Sequence, residues 1–167
     1  MKTINFYIMD TSSLIELNRR YPIDVFPSLW KNVEELINKG MLISHREVLK
    51  EISVKDDALK KWAVKQKNLF RDTDEKQAAI VKEILKKYPS LINSDGELSG
   101  ADPFIIALAV SLDDGKQKTL VPTSKSKIIV TEEKLRGAKI RIPYVSKEYS
   151  IDCINMIEMC RAEGWKF

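Results

Sequence analysis

The feature that most constrains this chain is its start, where an apolar run ends in one carboxylate. The apolar residues 6–9 are followed by Asp10 and then by three hydroxyl residues, of which Thr11 and Ser12 come first. This pattern predicts a buried strand that carries Asp10 at its carboxyl end, followed by a turn into a helix. Ligands of open α/β sheets bind outside the carboxyl ends of the strands, so Asp10 is a candidate binding residue. The alternative is structural, since the hydroxyl groups of Thr11 and Ser12 could simply hold a turn around Asp10.

A buried carboxylate is costly to desolvate unless a cation or a hydrogen-bond donor compensates it. Further acids that follow a predicted strand or open a predicted helix could share a cation with Asp10. The candidates are Glu47, Glu51, Asp102, Glu132 and Glu133.

Each of these acids also has a structural interpretation when it is taken alone. Asp102 precedes Pro103 and is expected as a helix N-cap. Glu132 and Glu133 are expected to open a helix, where the helix dipole favours anions. Glu51, with Glu47 one turn before it on the same face, is expected to be a surface acid.

Segments typical of strands alternate with segments typical of helices along the chain, which predicts an α/β fold with a central, mainly parallel sheet of four or five strands. Further strands are expected at 41–44, 128–131 and 139–142. Helices are expected at 14–18, 28–39 with Ser28 as N-cap and Gly40 just beyond the end, 45–52, 57–70, 75–88, 101–112 and 151–163, and loops at 89–100 and 116–127. With no repeat and no linker in the sequence, we expect one domain over residues 1–167.

Composition limits the class of protein. The chain has 167 residues and a net charge of +4, which is mild for a nucleic-acid-binding protein. No apolar run approaches the roughly 18–20 residues that a membrane span needs, so a cytoplasmic location is expected. Cys153 and Cys160 are expected to be reduced thiols. Basic residues crowd into 60–71, 82–87, 116–127 and 134–141, and a basic surface around an acidic pocket suits a polyanion. Solvated helix faces are the alternative for each basic run.

The acids recur at comparable positions beside the predicted sheet, which favours a shared cation. Carboxylate oxygens are the ligands that Mg²⁺ or Mn²⁺ prefers. Such an ion lowers the pKa of bound water and stabilises charge that develops on a phosphoryl group.

Four segments resemble the motifs of the PIN domain family in order and spacing. They are Tyr7-Ile8-Met9-Asp10-Thr11-Ser12-Ser13-Leu14-Ile15, Val48-Leu49-Lys50-Glu51-Ile52, Ala101-Asp102-Pro103-Phe104-Ile105-Ile106-Ala107-Leu108-Ala109 and Ile129-Val130-Thr131-Glu132-Glu133. Three more segments resemble a prokaryotic PIN-like subgroup: Phe26-Pro27-Ser28-Leu29-Trp30, Ile142-Pro143-Tyr144-Val145 and Glu163-Gly164-Trp165-Lys166-Phe167.

This resemblance implies a three-layer α/β/α Rossmann-like fold and a metal-dependent nuclease that acts on RNA. It implies a site of Asp10, Glu51, Asp102 and Glu133 for Mg²⁺ or Mn²⁺, with Ser12 as a supporting hydroxyl. The fourth acid is a glutamate where the family more often has aspartate, and Glu132 competes with Glu133 for that position. Some members of the family are toxins of type II toxin–antitoxin pairs, which implies a possible antitoxin partner and a possible homodimer.

Other functions have weaker support. A catalytically inactive module that binds nucleic acid or protein would use the acids as caps or partner contacts. A haloacid-dehalogenase site needs an acid at position 12, which is serine, and no receiver-type aspartate follows a middle strand. Serine or cysteine hydrolysis would need the only histidine, His45, which is predicted to lie at a helix start. Trp165 and Phe167 are expected to close the core rather than meet a partner.

Overall fold

The protein is built around one five-stranded parallel sheet with the strand order β3-β2-β1-β4-β5. The computed structural model describes residues 2–92, 100–112, 123–137 and 139–167. The strands are β1 (Lys2–Met9), β2 (Leu42–His45), β3 (Phe70–Arg71), β4 (Thr123–Val130) and β5 (Asp152–Ile154). The helices are α1 (Thr11–Arg20), α2 (Pro27–Asn38), α3 (Arg46–Lys55), α4 (Asp57–Ala63), α5 (Glu75–Lys87), α6 (Asp102–Ser111), α7 (Ile142–Glu148) and α8 (Met156–Ala162), with a 3₁₀ turn at Pro89–Leu91.

The predicted fold class is confirmed, because helices flank a central parallel sheet in a three-layer, Rossmann-like arrangement. Parallel strands need crossover connections, and helices supply these crossovers along most of the chain. None of the described helices combines the length and the apolar character that crossing a lipid bilayer requires.

The strand order places β1 at the centre of the sheet, where the direction of winding reverses. The chain moves outward from β1 to β2 and β3 on one side, and β4 and β5 lie on the other side. The full length of β1 pairs with β4, from Lys2 opposite Thr123 to Met9 opposite Val130. A crevice at such a reversal is the usual ligand site of an open parallel sheet.

The most deeply buried helix is α6, which packs on β1, β2 and β4 and contacts α5 and α7. Its residues from Ile105 to Ala109 are all buried. A helix that is apolar on every face is stable only inside a protein, which explains why this segment lies against the sheet. On another part of the sheet, α1 packs against α3 and α4.

Two tryptophans fasten the second helix to the fourth. The rings of Trp30 and Trp62 meet edge to face with centroids 4.8 Å apart. The Trp30 indole donates to the Tyr21 carbonyl at 2.7 Å, and the Trp62 indole donates to Glu34 at 2.8 Å. Both aromatic side chains therefore bury their rings without leaving an N–H group unpaired.

The predicted strand at 139–142 is wrong, because Ile142 begins α7. The alternation of Lys139-Ile140-Arg141-Ile142 mimics a strand, but Pro143 follows directly. Proline is well tolerated in the first turn of a helix, where its missing N–H needs no partner.

The predicted helix at 151–163 is also wrong in its first third. Residues Asp152–Ile154 form β5 and pair with β4, and α8 begins only after Asn155. The apolar spacing of this segment suits a helix, but the capping box formed by Asn155 and Glu158 sets the helix start. Cys153 therefore lies in β5 rather than on a helix with Cys160, and both thiols are free, as expected.

Several predicted ends shift by a few residues. Ser28 is not an N-cap, since Phe26 holds that position without a side-chain hydrogen bond and Pro27 begins α2. The helix predicted over 14–18 extends over Thr11–Arg20, and the one predicted over 57–70 ends at Ala63. Gly40 does follow α2, with a φ of 69° that favours glycine.

The predicted loops are only partly described. In the loop predicted at 89–100, residues 89–91 form the 3₁₀ turn and 93–99 lie outside the described residues. In the loop predicted at 116–127, residues 123–127 instead belong to β4 and the rest lies outside the described residues.

The C-terminal segment packs against the core through only some of its apolar residues. Met156 and Met159 are buried, whereas Ile157 is exposed. Trp165 packs against the core as expected, but Phe167 remains exposed.

Candidate active site

The candidate site lies at the carboxyl ends of β1 and β4, in the crevice where the sheet reverses its winding. Asp10 follows β1, and Thr131 follows β4. The Asp10 amide donates to the Val130 carbonyl at 3.0 Å, which extends the pairing of the two strands by one step. Asp10 and Thr131 are each 2% exposed. The first predicted site residue therefore occupies the position that the sequence indicated.

Three donors hold the Asp10 carboxylate. The Thr11 amide donates to Oδ1 at 2.7 Å, while the hydroxyls of Ser12 and Thr131 donate to Oδ2 at 2.8 and 2.9 Å. These bonds favour the charged form, yet burial is the stronger effect and raises the pKa of Asp10 above its ordinary value. The carboxylate is fixed in direction, and no cationic side chain among the described residues forms an ion pair with it. The supporting role of Ser12 thus has a geometric basis.

The same two hydroxyls also anchor the chain that follows β4. The Glu132 amide donates to the Ser12 hydroxyl at 3.0 Å, and the Glu133 amide donates to the Thr131 hydroxyl at 3.1 Å. Each hydroxyl has a single proton, which it gives to Asp10, so the amides meet its oxygen as an acceptor. The Ser12 and Thr131 hydroxyl oxygens therefore each bridge the Asp10 carboxylate and the backbone of the segment that carries the two glutamates.

Asp102 is the first residue of α6, and the expectation that it caps this helix is wrong. Ala101 is the N-cap, and no side chain caps the helix. Burial raises the pKa of Asp102 to about 9, and the charges of Asp10, Glu133 and Glu51 add to the effect. No described residue donates a hydrogen bond to the Asp102 carboxylate. The four predicted acids are thus close enough for their charges to act on one residue.

Glu51 reaches the site from α3. Its Oε1 accepts a hydrogen bond from the Ala101 amide at 3.1 Å, which fixes it at the start of α6. Burial raises the pKa of Glu51, and the charge of Asp10 raises it further. The expectation that Glu51 is a surface acid is therefore not met, since this side chain is half-buried beside Asp10 and Asp102.

Glu133 is the fourth acid that shares these charges. Burial raises the pKa of Glu133, and the charge of Asp10 raises it further. Two contacts act in the opposite direction and lower the pKa of this carboxyl. The Ile142 amide at the start of α7 donates to Glu133 Oε2 at 3.1 Å, and Arg141 contributes a positive charge. No helix follows directly after β4, so the predicted helix start at Glu132 and Glu133 is wrong.

Glu132 and Glu47 point elsewhere. Glu132 Oε1 accepts a hydrogen bond from the Met156 amide at 3.1 Å and so caps α8. Glu47 forms an exposed ion pair with Lys50 at 2.6 Å. Glu133 rather than Glu132 therefore joins the other acids, which we call the acid cluster: Asp10, Glu51, Asp102 and Glu133.

Sequence reasoning missed the roles of Thr131, Ala101 and Arg141. Thr131 holds Asp10, the Ala101 amide holds Glu51, and Arg141 provides a positive charge near Asp102 and Glu133. The sequence does contain an indication for Thr131, because this residue directly follows an apolar run, as Asp10 does. The other two had none, since their contacts join segments that are far apart in sequence.

His45 does what its position predicts. It is the N-cap of α3, where its Nδ1 accepts from the Glu47 amide at 3.0 Å, and its Nε2 lies 2.8 Å from the Thr73 hydroxyl. Both ring nitrogens are occupied by structural contacts, and burial lowers the pKa of His45.

The acid cluster fits a hard divalent cation in chemistry, though not in its present arrangement. Among the residues that the structure describes, no three carboxylate, imidazole or thiol groups are placed to share one metal ion. The donor set is nevertheless all oxygen, and the Asp102 carboxylate has no described donor. The charges of neighbouring acids raise the pKa values of Glu51, Asp102 and Glu133, and a cation that entered between them would relieve this repulsion.

One family model, with the description "Domain of unknown function (DUF4411)", matches residues 7–167, so the chain belongs to that family. No curated protein and no solved structure matches the chain significantly.

Proposed function

We propose that this member of the DUF4411 family is a PIN-like, Mg²⁺- or Mn²⁺-dependent endoribonuclease that hydrolyses RNA phosphodiester bonds at the acid cluster. The observation that carries the proposal is Asp102, whose carboxyl pKa is raised to about 9 beside three other acids. Repulsion among the acids costs the fold free energy, and strongly shifted carboxyl pKa values in a crevice are typical of functional sites.

In this proposal Asp10, Asp102 and Glu133 hold the ion, and Glu51 completes the site or orients the attacking water. The bound ion supplies an activated water and neutralises charge that develops on the phosphoryl group. Ser12 and Thr131 keep the Asp10 carboxylate in one direction through their hydrogen bonds. The Ala101 amide does the same for Glu51. These two carboxylates are thus held in direction, whereas the four acids would still have to move closer together to share one ion.

Replacement of Asp10 by Asn tests the catalytic role. Asn has nearly the same shape and can still accept the Thr11 amide bond, so the fold should persist while metal-dependent RNA cleavage is lost. Cleavage of a labelled RNA in Mn²⁺ measures the activity, and thermal unfolding measures the fold. An Asp10→Asn preparation that cleaves as fast as the unchanged protein contradicts the proposal. Asp72→Asn is the matched control, because Asp72 is exposed and pairs only with Arg46 among the described residues.

A second candidate is a catalytically inactive module on the same fold that binds nucleic acid or protein. It is favoured by the structural contacts of the acids, since Asp10 caps α1 and Glu133 accepts a bond from the first amide of α7. Titration with Mn²⁺ separates the two candidates. A rise in the unfolding temperature supports the nuclease, and the absence of both a thermal shift and a heat of binding supports the inactive module.

A toxin role with an antitoxin partner, and a homodimer, stay predictions. Loss of growth on expression of the chain, with relief by Asp10→Asn, would support the toxin role. The same growth defect with both chains would assign it to something other than RNA cleavage.

A further inference from the structure

A polar groove of about 690 Å³ opens directly beside the acid cluster. This volume lies within the range of about 300–1,000 Å³ that is typical of ligand sites. We call it the basic groove, because four cationic side chains lie along it. Its charged lining residues are Glu16, Arg19, Arg20, Glu132, Glu133, Lys134 and Arg141.

Most of the charges in the basic groove already have partners. Arg19 and Arg20 both pair with Glu16, at 3.2 and 2.7 Å. The carboxylates of Glu132 and Glu133 accept backbone amides that open α8 and α7. Arg19, Arg20 and Glu132 are therefore already paired within the fold, whereas Glu133 also belongs to the acid cluster.

Lys134 and Arg141 differ from the other cations of the groove. Neither forms an ion pair with any residue in the described part of the chain. Both lie in the segment that links β4 to α7, where Lys134 directly follows Glu133 and Arg141 directly precedes α7. Within the described part of the chain, two cations of the basic groove are thus without an ion-pair partner and can meet an anion.

Arg141 also belongs to the electrostatics of the acid cluster. Its charge lowers the pKa of both Asp102 and Glu133. Arg141 is the N-cap residue of α7, but its side chain makes no capping bond, so the helix start does not depend on its guanidinium. A guanidinium that lies between acids and an open groove can contact a phosphate with two parallel hydrogen bonds.

We propose that the basic groove binds the sugar–phosphate backbone of an RNA strand and that Arg141 is the positioning residue for the phosphate next to the acid cluster. This inference rests on the proposed function and names how its substrate is held. No aromatic side chain lines the described groove, so bases have no stacking surface there. Contacts to phosphates position a strand but carry little sequence information, so binding is expected to be tolerant of sequence.

The test measures binding of a fluorescein-labelled oligouridylate by anisotropy at several salt concentrations. All variants carry Asp10→Asn and are measured in EDTA, so metal-dependent cleavage cannot occur, and the measurement does not depend on whether the unchanged protein is a nuclease. Arg141→Gln should weaken binding by roughly tenfold at low salt. It should also reduce the slope of log K against log salt by about 0.7, as expected for one lost phosphate contact on a single strand. Arg141→Lys should restore the slope.

The matched control is Arg161→Gln, which changes an exposed arginine that lines a different, apolar cavity. It should leave both affinity and slope unchanged, and all variants should unfold at the same temperature. Unchanged binding by Arg141→Gln overturns the proposal, and so does weaker binding with an unchanged salt slope, which would indicate a structural effect. The proposal is also overturned if Arg141→Gln weakens binding of polyglutamate as much as it weakens binding of the oligouridylate, because the groove would then be a site for acidic peptides. If Asp10→Asn does not affect cleavage but Arg141→Gln still lowers binding and slope, the proposed catalytic site fails while the groove stands.

Discussion

At the scale of single residues, the direction of the Asp10 carboxylate depends on donors from two distant parts of the chain. Thr11 and Ser12 follow Asp10 directly, whereas Thr131 is 121 residues away. The pairing of Met9 with Val130 places Thr131 beside Asp10.

The Thr131 hydroxyl should matter more for the site than its small size suggests. Thr131→Val keeps the shape but leaves Asp10 Oδ2 with one donor fewer and the Glu133 amide without an acceptor. We expect the free energy of unfolding to fall by about 1–3 kcal/mol, measured by urea denaturation. Thr131→Ser is the control because it keeps the hydroxyl. A loss in Thr131→Ser with none in Thr131→Val would mean that packing of the methyl group, rather than the hydrogen bonds, contributes the stability.

The contacts of Asp10 also show what the sequence reveals about the site. The role of Thr11 and Ser12 in holding the turn could be expected, and both strands were predicted. The pairing of Met9 with Val130 was not, because strand neighbours depend on the order of winding, which local patterns do not encode.

Asp102 should make the stability of the protein depend on pH. Its carboxyl has a pKa of about 9 in the folded protein and 3.8 as its ordinary value. The folded state therefore favours the protonated form. The resulting stabilisation is complete below about pH 4 and is lost progressively as the pH rises toward 9.

Asp102→Asn removes this loss, so the variant should be more stable than the unchanged protein at pH 8 by about 1–3 kcal/mol and should show no such gain at pH 4. Urea denaturation at both pH values in EDTA measures the difference. A gain that is the same at both pH values would show that the charge of Asp102 is not its source.

At the scale of helices and strands, the connection from β4 to α7 decides which glutamate belongs to the site. Two adjacent acids follow Thr131, and sequence could not choose between them. The structure separates them by the helices whose amides they accept, since Glu132 contacts the start of α8 and Glu133 contacts the start of α7. The starts of these two helices were also hard to predict. The start of α7, marked by a proline, lies in a segment whose alternation suggested a strand. The start of α8, marked by a capping box, lies in a segment whose apolar spacing suggested a longer helix.

The two glutamates should therefore differ in metal binding. Glu133→Gln removes a charge from the acid cluster and should reduce the rise in unfolding temperature that Mn²⁺ produces. Glu132→Gln keeps an oxygen that accepts the Met156 amide and should leave that rise unchanged. Thermal unfolding with and without Mn²⁺ compares them, and the opposite order would place Glu132 at the ion.

At the scale of the whole molecule, a hydrogen bond links β1 to the segment that follows α8. The hydroxyl of Tyr7, which is fully buried, donates to Glu163 Oε1 at 2.6 Å and accepts from Asn5 at 3.1 Å. Burial and the Glu163 charge both raise the pKa of Tyr7, so it stays protonated and remains a donor. The fold class could be predicted correctly, because the alternation of strands and helices is a property of the entire sequence.

Tyr7→Phe should lower the free energy of unfolding by about 1–2 kcal/mol, because it leaves the Glu163 carboxylate without this donor in a partly buried place. Urea denaturation measures the change. The double variant Tyr7→Phe with Glu163→Gln should lose less than the sum of the two single changes, as expected for residues in contact. Additive losses would show that the two side chains do not support each other.

The burial of α6 on every face has a consequence for the amount of protein in a cell. Asp102 is the first residue of this helix, so the Asp102 backbone cannot move away from the other acids without disturbing the core. An ion that binds only the folded chain stabilises it in proportion to the logarithm of its concentration. Under the proposed function, a cell short of divalent ions would hold more unfolded chains, and proteases would remove them faster. The supply of ions would then set the abundance of the protein as well as its activity.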